Sequence, residues 1–114
     1  MSTKNVRQNM AAAGTRISAN EFGALREFLR GYFHEDMTDD YGSPAGAARQ
    51  FCRDASAEQR HAVATEWERL LLRTRGQSLD VINSLLTEEL GSARTLSQTD
   101  LKRISGVFLR ESDD

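Results

Sequence analysis

The sequence predicts an all-α fold, a compact bundle of about five helices, and three observations carry that expectation. Apolar residues recur at helical spacing in five stretches. Capping residues stand at the head of these stretches, and glycines close several of them. Strand signals are weak: few β-branched residues alternate, and no Asn-Gly or Asp-Gly hairpin appears.

The first helix is expected from about Asn20 to Phe33, with Asn20 as its cap. Phe22, Leu25, Phe28, Leu29 and Tyr32 fall on one broad face. Ser43-Pro44 starts the second: Ser43 accepts orphan N–H bonds, and proline has none to lose in the first turn. Its apolar face is Ala47, Ala48, Phe51 and Ala55, small enough for a close helix crossing. Ser56-Ala57-Glu58-Gln59 has the form of a capping box for the third and longest helix, which ends near Arg75 with Gly76 as the stop. Val63, Trp67, Leu70 and Leu71 make its stripe, while Leu72 points to the other side with His61, Thr65 and Glu68. Ser78 caps a fourth helix, with Leu79, Ile82, Leu85 and Leu86 inward and Gly91 as its end. Ser97-Gln98-Thr99-Asp100 opens a fifth, with Leu101, Ile104 and Phe108 on one side.

Composition sets the outer bounds. A chain of 114 residues, 39% apolar and 28% charged, suits one globular domain. That domain is expected over residues 20–111, between a tail at 1–19 and a short one at 112–114. A net charge of −2 gives no global field for nucleic acid. The single cysteine, Cys52, excludes an internal disulfide and fits a reducing cytosol. No apolar run approaches the roughly 20 residues that span a bilayer, and no signal peptide is visible.

The stretch YFHEDMTDDYGSP, residues 32–44, concentrates four acids, one histidine and no lysine or arginine on one connection. A calcium loop counted from Asp36 finds suitable oxygens at Thr38 and Asp40, but it meets Tyr41 where glycine is needed and Ala47 where glutamate is needed. Zinc lacks a second ligand pair, since Cys52 stands alone and His34 and His61 are far apart. Asp36, Asp39 and Asp40 offer paired carboxylates and His34 a base, yet no nucleophile elbow, phosphate loop or oxyanion hole accompanies them. A metal-dependent enzyme or metal-regulated switch on these four residues is the alternative reading.

A helical nucleic-acid regulator is a weaker one. Between Arg49 and Arg75, six arginines against four acids (Asp54, Glu58, Glu66 and Glu68) leave only +2, where a groove-reading helix shows a denser basic face. The structural reading of the acids is that Asp39 and Asp40 favour the positive end of the following helix. Glu35 and Asp36, after the first helix, oppose its dipole. An acidic patch edged by Tyr32 and Tyr41 suits a strongly basic protein partner.

Here the residues resemble a known family. The run ALREFLRGYFHEDMTDDYGSPAGAARQFCRDASAEQRHAVATEWERLL, then LLTEELGSA and SQTDLKRISGVFL, is similar to the small helical immunity proteins of contact-dependent growth inhibition systems. The likeness covers about residues 22–109. Its most distinctive piece is met by Gly31, Tyr32, Phe33, His34, Asp36, Asp40, Tyr41, Gly42, Ser43 and Pro44. The Glu-Leu-Gly turn and the late Asp-Leu pair add to it. One departure is Ile104-Ser105, where members tend to carry tryptophan.

The resemblance implies a cytoplasmic protein that binds the toxic C-terminal domain delivered by a neighbouring cell, often a nuclease, and blocks it. It implies no catalysis, no cofactor, no small-molecule ligand, no direct nucleic-acid contact and no membrane. Because relatives must recognise different toxins, shared residues serve the fold: Tyr32, Phe33, Tyr41, Gly42, Ser43 and Pro44 as core and turn. His34 is expected to pin the connection through Asp40 or a backbone carbonyl. Toxin contact is expected from Glu35, Asp36, Asp39 and Asp40, with Glu35 and Asp39 favoured as the variable positions. The face with His61, Glu68 and Leu72 is a second candidate, although a neighbouring helix is the commoner cover for a residue such as Leu72.

Overall fold

A computed structural model describes residues 19–112. Among these residues a 3-10 turn, Ala19–Phe22, leads into six helices. These are α1 Gly23–Tyr32, α2 Met37–Tyr41, α3 Pro44–Asp54, α4 Ala57–Arg73, α5 Leu79–Ser84 and α6 Gln98–Ser112, with a π turn, Leu85–Glu89, continuing α5. No strand occurs among the described residues, so the fold is an all-α bundle. The expected tails, apart from residues 19 and 112, lie outside the described residues.

Local chemistry accounts for four of the helix starts. Ser43 Oγ accepts from the Gly46 N–H at 3.0 Å, with Pro44 in the first turn. Ser56 Oγ accepts from the Gln59 N–H at 3.1 Å, and the Ser56 N–H donates to Gln59 Oε1 at 2.9 Å, a complete capping box. Ser78 Oγ accepts from the Val81 N–H at 3.2 Å. Ser97 and Asp100 exchange the same reciprocal pair, at 3.0 Å each way.

The start of α1 differs from expectation. Asn20 lies in the 3-10 turn, and Phe22, with no side-chain bond, holds the cap position. The orphan Leu25 N–H donates instead to Glu66 Oε1 of α4 at 2.8 Å. A carboxylate from another helix thus satisfies this end, where negative charge is favoured.

The core runs through all the longer helices. Phe28 sits at its centre, with ring centroids of Phe51, Phe33 and Phe108 at 4.8, 5.2 and 5.6 Å. Trp67 is 1% exposed, stacks edgewise on Phe108 at 6.1 Å and donates its indole N–H to Ser105 Oγ at 2.8 Å. Burying each large side chain contributes about 1.5–3 kcal/mol before chain entropy is subtracted. Helix α6 packs against α3 and α4, α1 against α4, and α2 lies on α3.

The segment after α5 is tied down by Asn83. Its Oδ1 accepts from the Leu96 N–H at 2.7 Å, and its Nδ2 donates to the Leu96 carbonyl at 2.8 Å. Leu90 N–H bonds back to Leu85 O at 3.0 Å, which makes the π turn, and Gly91 at φ 85° lets Ser92 N–H reach Leu86 O at 2.9 Å.

Candidate functional site

The acidic connection is partly helical. Met37, 3% exposed, anchors the short α2 from below. Its ends are fixed by Asp40 N–H on Asp36 O and Gly42 N–H on Thr38 O, both at 2.9 Å. Gly42 then turns the chain at φ 84°. Gly46 is needed beside it, because a Cβ there would stand 2.2 Å from the Tyr41 carbonyl oxygen. From outside, Arg94 Nη2 donates to Thr38 Oγ1 at 2.9 Å, and Ala93 N–H donates to Phe33 O at 2.8 Å.

This changes the electrostatic account of the acids. Asp36 holds the N-cap position of α2, and Asp39 and Asp40 lie in its first turn. Asp36 therefore stands at a helix start as well as beyond the end of α1. Glu35, Asp36, Asp39 and Asp40 are all exposed. Among the described residues a base faces one of these four acids, Asp40, whose Oδ2 is 3.5 Å from His34 Nε2.

His34 makes two contacts within this turn. Its Nδ1 accepts from the Asp36 N–H at 3.1 Å, which places the imidazole proton on Nε2, toward Asp40. The ring is 6.0 Å from Tyr41, and Tyr41 is 5.5 Å from Tyr32. Phe33 is fully buried, while Tyr32, Tyr41, Ser43 and Pro44 are half-buried.

The second candidate face lies on other elements. His61 and Glu68 flank a cleft of about 240 Å³ between α4 and α6, with Thr65, Ser105 and Leu109. Leu72, the apolar member of this candidate face, is 60% exposed, and Leu109 is 63% exposed. Helix α6 packs on another side of α4, where Trp67 bonds Ser105 and Leu71 lines a cleft with Leu101 and Ser105.

Sequence reasoning missed a larger feature. A groove of about 590 Å³ lies among α1, α3 and α4, lined by Ala24, Glu27, Phe28, Tyr32, Asp54 and Ala62, among others. On its rim the Tyr32 hydroxyl donates to Asp54 Oδ2 at 2.7 Å, and Gln50 Nε2 donates to Asp54 Oδ1 at 2.9 Å. Burial, then the hydrogen bond to Asp54 and its charge, push the Tyr32 hydroxyl up to about 12. The bonds from Tyr32 and Gln50 hold the Asp54 carboxyl below its ordinary value. Only the small residues Ala24, Ala55 and Ala62 hinted at this groove in the sequence.

Among the described residues no three His, Cys, Asp or Glu side chains group to hold a metal ion, so His34, Asp36, Asp39 and Asp40 form no ligand set. His34 Nδ1 is already engaged by the Asp36 amide. Of the arginines considered for nucleic acid, Arg60 bonds the Cys52 and Ala55 carbonyls at the end of α3. Arg69 and Arg73 lie over the Phe22 ring, and Arg73 pairs with Glu21.

Fold and surface together define a small all-α domain that displays fixed carboxylates and partly exposed rings. A family model described as CdiI immunity protein matches residues 21–95, well over half of the chain, and the chain belongs to that family. It is thus a toxin-neutralising immunity protein of contact-dependent growth inhibition, and its partner is a toxin protein. The matched segment ends before α6. Comparison with curated proteins and with solved structures returns no match. Among the described residues no helix is long and apolar enough to cross a membrane.

Proposed function

We propose that this chain protects the cell that makes it by binding, one to one in the cytoplasm, the C-terminal toxin domain of a delivered effector, and that this domain is a nuclease. The α2 surface, with Glu35, Asp36, Asp39 and Asp40, meets basic residues that the nuclease uses to hold phosphate. The face with His61, Glu68 and Leu72 supplies a second, partly apolar contact. The inhibitor acts by occupancy and does no chemistry of its own.

The supporting observation is the display of four exposed carboxylates around a helix fixed by Met37, Thr38–Arg94 and Gly42. Negative charge held on a rigid support steers a basic partner and loses little freedom on contact. Co-expression with the toxin domain encoded immediately upstream, followed by size-exclusion chromatography and a nuclease assay, tests the reading. A one-to-one complex with blocked cleavage is expected, and failure to form any complex sinks it. Reversing Glu35 and Asp39 to lysine is expected to slow association about tenfold at low salt. Unchanged association would remove α2 from the interface.

A further inference from the structure

The groove among α1, α3 and α4 owes its shape to small residues. Ala24, Ala55 and Ala62 leave open a trough of about 590 Å³, floored by the edges of Phe28, Phe51 and Val63. Glu27, Asp54 and Glu58 stand on its rim, and among the described residues no lysine or arginine lines it. Asp54 is already oriented by Tyr32 and Gln50, at 2.7 and 2.9 Å. A carboxylate fixed in advance gives up less freedom when it meets a cation. The position of Glu58 in the first turn of α4 has a helix-dipole explanation. That explanation does not place Glu27 and Asp54, from two other helices, around the same apolar trough.

We propose that this groove receives an arginine- or lysine-bearing segment of the toxin, with aliphatic stems on Ala24, Ala55 and Ala62 and cationic heads on Asp54, Glu27 and Glu58. This rests on the immunity reading above and adds the partner's chemistry at a surface that reading does not use. Basic side chains match both halves of the groove, because they join an apolar stem to a charged head. An arginine fork can bond a carboxylate at two points. The groove also runs on toward α2, since the Tyr32 ring on its wall lies 5.5 Å from Tyr41. One partner can therefore cover both.

Two full-length variants test this by titration calorimetry against the toxin domain encoded immediately upstream, with a thermal melt of each. The first, Glu27→Gln/Asp54→Asn/Glu58→Gln, removes charge and keeps size. The second, Ala62→Trp, fills the trough. Each is expected to weaken binding by about 30-fold or more, the scale of a central contact. If Ala62→Trp melts early, the neutral triple variant decides alone. Unchanged Kd in a folded triple variant overturns the groove assignment and leaves the immunity reading standing. No binding by the unsubstituted chain overturns both. A spin label at Arg7→Cys that broadens Ala62 and Val63 in the free protein also overturns the assignment, because it seats the chain's own basic start there.

Discussion

At the scale of single residues, two hydrogen bonds make opposite kinds of prediction. The Tyr32–Asp54 bond needs a protonated phenol and an ionised carboxyl. Tyr32 is raised from 10.0 to about 12, so its contribution is full below pH 10 and is lost as pH climbs through 12. Asp54 is lowered from 3.8, so its contribution is full above that value and is lost as acid protonates it. Tyr32→Phe is therefore expected to flatten the alkaline fall in stability between pH 10 and 12. Urea midpoints measured across that range check it. The Trp67–Ser105 bond is different, because it serves a ring that is 1% exposed. Ser105→Ala leaves a buried indole N–H without its partner and is expected to cost about 1–2 kcal/mol in a urea melt. Ser105 belongs to the pair where the sequence departs from its family likeness, and the departure has this packing role.

At the scale of elements, legibility followed the range of the interactions. The starts at Ser43, Ser56, Ser78 and Ser97 were readable because each bond spans three residues. The start of α1 was not, because Glu66 caps it from 41 residues away. Helix α2 was read as a connection since five residues are too few to hold a helix by propensity. It is held by Met37 in the core and Arg94 on Thr38, a pairing across 56 residues. The acidic character of the candidate surface was plain from composition. The groove was hidden, because Tyr32 and Asp54 meet across 22 residues. Two glycines test the packing account. Gly46→Ala drives a Cβ onto the Tyr41 carbonyl and is expected to destabilise by about 1–3 kcal/mol. Gly31→Ala, with nothing within 4 Å, is expected to stabilise α1 by about 0.5–1 kcal/mol. Equal thermal shifts for the two would contradict the close approach of Gly46 to the Tyr41 carbonyl.

At the scale of the whole molecule, a net charge of −2 understates the electrostatics. One groove beside α3 is rimmed by Glu27, Asp54 and Glu58. Another, between α3 and α6, is lined by Arg49, Lys102, Arg103 and Arg110, and no acid lines it among the described residues. At 100° per residue, Arg49 and Asp54 lie on different flanks of α3. Association with a basic toxin domain is expected to slow as salt rises from about 0.01 to 0.15 M, where the screening length falls from about 30 to 8 Å. Stopped-flow rates that ignore salt would leave steering no part in recognition. Charges parted in this way act as a compass needle. In the field of a cationic neighbour such a molecule is expected to feel a torque before it feels a touch, which would turn the acidic groove forward.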